Sequence, residues 1–178
     1  MYQPKSVYTD IALKALIHYL EFGDTRNLVF DNIPEELYQT QRACFVSLHL
    51  DDGELRGCIG TIDPQEENLV KEITRNAVSA AINDSRFHAL EPEELEDITI
   101  SVDVLTKATE ITALDELDPR IFGIVVTDGS FRRGVLLPGL EGIDTAEKQI
   151  EIAKCKAGLN RTELEDLTIY RFTSNRYH

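Results

Sequence analysis

The chain has 178 residues, 42% of them hydrophobic and 28% charged, with a formal net charge of −14. That length suits one domain, or two lobes sharing a core, and a globule of this size buries roughly 70% of its unfolded surface. No apolar run approaches the roughly 20 residues that cross a bilayer, and so acidic a surface, with no basic stripe of interleaved aromatics, argues against nucleic acid as a direct partner.

The first residues, Met1 to Lys5, lead into a mixed polar segment rather than a signal-peptide core. Val7 to Phe22 then carries Ile11, Ala12, Ala15, Leu16, Tyr19 and Leu20 at helical spacing, with Gly23 as a stop. Residues 34–40 predict a short helical turn after Pro34. Two apolar-rich runs, Ala43–Leu50 and Glu54–Ile62, flank Asp51-Asp52-Gly53, a strong hairpin signal. Asp63-Pro64-Gln65-Glu66 predicts a helix start, with Asp63 as N-cap, Pro64 first in the helix and Glu66 completing a capping box. This helix places Leu69, Ile73, Ala77 and Ala80–Ala81 on one stripe and ends near Asn83; its small residues imply close approach to a sheet.

Ile98, Ile100, Val102 and Val104 alternate with Thr99, Ser101 and Asp103, the pattern of a half-buried strand. Asp128-Gly129 marks a second hairpin between Gly123–Thr127 and Ser130–Leu137. Asp144, with Glu147 three residues on, predicts the start of a last helix that ends at Gly158, and Thr168 to Phe172 predicts a final strand. Hairpins with helices between strands favour an α+β fold with antiparallel sheet over a parallel doubly wound one.

The stretch Leu55-Arg56-Gly57-Cys58-Ile59-Gly60-Thr61 puts two of the ten glycines beside a cysteine inside a predicted strand. A two-residue Asp52-Gly53 loop would face Leu50 with Leu55, His49 with Arg56, Leu48 with Gly57 and Ser47 with Cys58. This register gathers Val46, Leu48, Leu50, Leu55 and Ile59 on one face, and Phe45, Ser47, His49, Arg56 and Cys58 on the other. Gly57 then admits a packed helix on the apolar face. Gly60, on the Cys58 face, leaves a gap where a ligand or another backbone can approach. Arg56 is placed to favour a Cys58 thiolate, and His49 lies within reach as a base, with His88 as another candidate.

Cys58 thus reads either as a nucleophile or as a tightly packed small residue, and Arg56 either as its activator or as an anchor for a carboxylate. Thr61 joins Arg56, Gly57 and Gly60 as a candidate binding residue. Asp84 and Arg86, just past the second long helix, read as ligand-binding charges or as a turn cap and its ion pair. Arg132 and Arg133 alternate faces, so one of them is placed to bind a carboxylate or phosphate. Cys44 and Cys155 read as small core hydrophobes. Three cysteines in no paired pattern point to reduced thiols in a cytoplasm. No CxxC, HExxH or phosphate-loop spacing appears, so no metal or other cofactor is predicted.

These stretches also resemble a known family. "LRGCIGT", preceded by "CFVSLHLDDGE", is similar to the signature of the AMMECR family, and the likeness continues through "NAVSAAINDSRF", "EELEDITISVDVL", "RRGVLLP" and "KCKAGL". The order and compact length look like the stand-alone bacterial or archaeal form, AmmeMemoRadiSam system protein A, as a single domain over residues 1–178. The resemblance implies two unequal lobes with a cleft. It also implies association with a Memo-like protein and a radical S-adenosylmethionine enzyme around an unidentified small molecule. The chain departs from the pattern at Ser85, where relatives commonly carry proline, and in lacking tryptophan. The residues leave two functions open: an enzyme, or catalytic partner of a radical enzyme, working through Cys58 and Arg56; or a non-catalytic module binding a ligand or a partner's peptide.

Overall fold

The computed structural model describes residues 2–178. Among these residues, four helices and two four-stranded antiparallel sheets divide into two compact units of unequal size. The larger runs to Leu105 and takes in Asn175–His178; the smaller spans Thr106–Ser174. This is the α+β class that the hairpin spacing predicts.

In the larger unit, α1 (Val7–Phe22) begins at Ser6, whose hydroxyl accepts from the Thr9 amide, and stops at Gly23 with φ 77°. A short α2 (Glu35–Gln39) follows Pro34. Strands β1 (Cys44–Leu50) and β2 (Leu55–Gly60) form the hairpin, β3 (Ile98–Leu105) pairs with β1, and the sheet order is β2-β1-β3-β8, where β8 is Ser174–Tyr177. The helices α1 and α3 (Leu69–Ile82) cover one face of this sheet, where Ile11, Leu16, Val46, Leu48, Ile73, Ile100 and Val102 are buried together.

The smaller unit orders its strands β4-β7-β5-β6: β4 (Thr109–Glu110), β5 (Gly123–Thr127), β6 (Arg133–Leu136) and β7 (Thr168–Phe172). Here α4 (Ala146–Ala157) packs on β5 and β6 around Ile124, Val126, Leu136, Ile150 and Ala153. The second hairpin is joined by residues 128–132, with Thr127 facing Arg133.

Three local expectations need correcting. First, α3 starts at Leu69 behind an Asn68 cap rather than after Asp63. The carboxylate of Glu72, fully buried, takes the Gln65 and Glu66 amides at 2.8 and 2.7 Å and the Thr61 hydroxyl, which holds 61–66 as a loop over the first helical turn. Second, Thr145 rather than Asp144 caps α4, its Oγ1 accepting the Lys148 amide at 3.2 Å. Third, β7 is followed by β8, whose Ser-Asn-Arg-Tyr composition carries no apolar alternation to signal a strand.

The hairpin loop has three residues, not two. Leu50 and Glu54 close it (amide to carbonyl 2.8 Å), and Gly53 takes φ 88°. Alone, that extra residue would flip every side chain of β2. A bulge cancels it: His49 faces Leu55, Leu48 faces Gly57, and Arg56 is the residue left over. From Gly57 onward the predicted pairing holds, including Ser47 with Cys58. Gly57 faces α3 so closely that a Cβ there would lie 2.2 Å from the Ala80 carbonyl oxygen. Gly57→Ala therefore forces helix and strand apart and is expected to cost about 1–3 kcal/mol, read as a lowered Tm; an unchanged Tm would contradict this packing.

Candidate functional site

The face of the first sheet opposite α1 and α3 is polar. Alternation along β1 turns Phe45, Ser47 and His49 to it, β2 adds Cys58 and Gly60, and β3 adds Ser101 and Asp103. Cys58 is half-buried, and Ser47 Oγ donates to its sulfur at 3.2 Å. Because β2 is an edge strand, the Cys58 amide points away from β1 and needs a partner. Asp84, just beyond α3, supplies it: Oδ2 accepts the Cys58 amide at 2.9 Å and Arg86 Nη2 at 2.7 Å, while Oδ1 accepts Arg86 Nε at 2.9 Å. The Arg86 guanidinium, helped by the Cys58 and Arg86 amides, holds the Asp84 carboxyl well below the usual carboxylate range against the opposing effect of burial.

Arg56 is not placed as its spacing predicts. The bulge takes it out of the alternation, and its buried guanidinium forms a fork on Glu94 (Nε to Oε1 2.7 Å, Nη2 to Oε2 2.9 Å) in the turn Pro92–Glu96. It is the carboxylate anchor of the two alternatives, tying the edge strand to the approach into β3; the Phe87 ring lies 5.9 Å from it. Glu94 is correspondingly lowered below the usual glutamate range. Gly60 offers no gap to a ligand, because the Phe45 ring fills it: a Cβ there would lie 2.2 Å from Phe45 Cγ. Thr61 is held by Glu72.

His49 shares the Cys58 face but belongs to a different group. Burial, then the charges of Arg176 and His178, lower its pKa against the pull of Asp103, so the imidazole is neutral at neutral pH. The hydrogen-bond partner of the sulfur is Ser47. His88 is exposed and stands 3.9 Å from Glu94. Arg132 lies in the smaller unit, bound to Asp128 and the Gly158 carbonyl. Cys44 is buried as predicted, its thiol pushed up to about 12 chiefly by burial. Cys155 is exposed on α4 and not part of a core. Among the described residues, no group of three or more His, Cys, Asp or Glu side chains is placed to hold a metal ion.

The residue that sequence reading missed is Arg176. Strand β8 brings it beside β3, where Nε and Nη2 each lie 3.0 Å from a carboxylate oxygen of Asp103. Its neighbour Tyr177 turns the other way and stacks on Tyr8 of α1, with ring centroids 3.8 Å apart. The only sequence signal was the Arg-Tyr alternation itself. Of these contacts, the Asp84 clamp is the most exposed to pH. Its native pKa is depressed, so the stability it contributes is complete above the unfolded value near 3.9 and disappears as pH falls through the native one. Asp84→Asn is expected to lower stability by about 1.5–3 kcal/mol at pH 7. The gap from the parent should close as pH drops below about 4; a gap independent of pH in thermal unfolding would contradict the clamp.

Comparisons with known proteins agree with this architecture. The family model of AMMECR1 matches residues 9–177. A Thermotoga maritima protein is 44% identical over 170 residues, covering 96% of each chain. A Clostridium acetobutylicum protein is 43% identical over 175 residues, covering 98% of this chain and 36% of its own longer one. The crystal structure of an uncharacterized protein from Pyrococcus horikoshii aligns with a TM-score of 0.84 at 27% identity, over 95% of this chain and 88% of that one. The matched span takes in both units and every residue of the Cys58 face, and on that ground the chain belongs to the AMMECR1 family.

Proposed function

We propose that this AMMECR1-family protein is a cytoplasmic component of an AmmeMemoRadiSam system, acting with a Memo-like protein and a radical S-adenosylmethionine enzyme on a small molecule that meets Cys58. The observation that carries this reading is the mounting of the thiol. Cys58 sits on a strand rather than a loop, its amide is fixed by Asp84, and its half-buried sulfur is oriented by Ser47. A side chain positioned from both backbone and sulfur is preorganised for contact with a ligand. Cys44 is also held, its carbonyl and sulfur accepting from Asn76 Nδ2 at 3.0 and 3.4 Å, but it is sealed in the core where no ligand reaches it, and Cys155 lies exposed on α4.

One observation favours the second reading, a binding module without chemistry of its own. A nucleophilic thiol works with a base in hydrogen-bond reach, and the group beside this sulfur is a hydroxyl acting as donor. On that reading Cys58 contacts the ligand, and reactivity resides in the radical enzyme. Cys58→Ser separates the two in a strain lacking the native copy. The enzyme reading predicts that the serine protein still folds and co-purifies with both partners, yet fails to restore the small-molecule profile seen by mass spectrometry. Full restoration leaves the module reading, and no co-purification of the parent protein with either partner refutes membership of the system.

A further inference from the structure

The Cys58 row contains a polar group that the protein leaves unpaired. Ser47 stands opposite both Cys58 and Ser101, so three side chains line up across β2, β1 and β3 on the face turned away from the helices. Ser47 Oγ is engaged by the sulfur. Ser101 is 3% exposed, and its Oγ is buried without a hydrogen-bond partner. Buried hydroxyls are rarely left so, and an orphan in a polar row marks a place for a ligand atom.

Guanidinium groups stand at both ends of this row. Arg176 grips Asp103 through Nε and Nη2, while its side chain remains 51% exposed. Arg86 grips Asp84, the carboxylate that also holds the Cys58 amide, and its side chain is 56% exposed. A fork on a carboxylate uses only part of a guanidinium's five N–H groups, and the rest point outward for a second acceptor. The two carboxylates have their charge matched by these forks, so they do not repel an incoming anion as free ones would.

Resting on the reading of Cys58 as a ligand-contacting thiol, we infer that this row binds a small molecule bearing a carboxylate or phosphate group. Ser101 Oγ and the outward N–H groups of Arg176 and Arg86 are its donors. All three groups lack an acceptor, which an anionic group supplies to whichever of them it meets, whereas a neutral or cationic molecule leaves the guanidinium edges without one. The preference is local, set against a chain whose net charge of −14 repels anions at long range.

The test compares two alkylating reagents of similar size, iodoacetate and iodoacetamide, on Cys58 in a Cys155→Ser background, with glutathione as the free-thiol reference. The inference predicts a ratio of iodoacetate to iodoacetamide rate roughly tenfold above that of glutathione, the worth of one charge-assisted hydrogen bond to the reagent's carboxylate. The ratio should fall toward the glutathione value in Arg176→Gln and also in Ser101→Ala, which leaves the Asp103 pair untouched and so guards against misfolding. Protection of Cys58 by millimolar inorganic phosphate assigns the anion as phosphate, and protection by acetate alone assigns it as carboxylate. A parent ratio equal to that of glutathione, with iodoacetamide still reacting, overturns the anion site and leaves the thiol reading standing. A high ratio unchanged by both substitutions overturns the assigned donors. A Cys58 that neither reagent reaches removes the thiol reading itself.

Discussion

The side-chain parity of β2 is the constraint on which the site depends. A three-residue loop at Asp51-Asp52-Gly53 shifts the strand by one residue, and the bulge at Arg56 shifts it back. Without the bulge, Gly57 would face away from the helices, Arg56 would take its place against Ala80, and Cys58 would turn to the helix face opposite Val46. With it, the only residue small enough to meet the Ala80 carbonyl does so, and the thiol turns to the polar face. The same bulge frees Arg56 from the alternation, so that its guanidinium can reach Glu94. One irregular residue therefore sets the loop, the helix contact, the edge anchor and the direction of the thiol.

The charges around this strand follow a common plan. Arg56 with Glu94, Arg86 with Asp84 and Arg176 with Asp103 are all two-point forks; the first ties the turn before β3 to the hairpin, the third ties β8 to β3, and the second is a local pair that braces the carboxylate meeting the hairpin. Fork geometry fixes direction as well as distance, which a lysine would not do. Asp84 adds a third contact, the Cys58 amide, so the edge strand is capped at the residue whose side chain points to the polar face. An edge amide satisfied by a buried carboxylate is also closed to pairing with another chain.

Much of the fold is legible in the sequence, because periodicity and caps act locally. The first helix stops at Gly23, β3 follows from four alternating aliphatics, and Gly57 reads correctly as a helix contact. What escaped depends on partners far along the chain. Glu72, one turn into α3, decides that 61–66 is a loop by turning its carboxylate back onto the Gln65 and Glu66 amides, a contact no spacing rule signals. Phe45, from the neighbouring strand, fills the space beside Gly60. Arg176 reaches the site only because Tyr177 finds Tyr8 and Arg176 itself finds Asp103, neither of which leaves a trace in the composition of β8. The pairing of Ser47 with Cys58 is legible although the loop length is not, since the bulge cancels the extra loop residue.

The account stands on the Cys58 sulfur being reachable in the folded protein while Cys44, on the opposite parity, is not. Native-state iodoacetamide labelling, located by peptide mass spectrometry, measures this directly. The structure predicts modification of Cys58 and Cys155 in the folded chain, with Cys44 modified only after unfolding. Labelling of Cys44 in the native protein, or a Cys58 as protected as Cys44, would contradict the parity and with it the site.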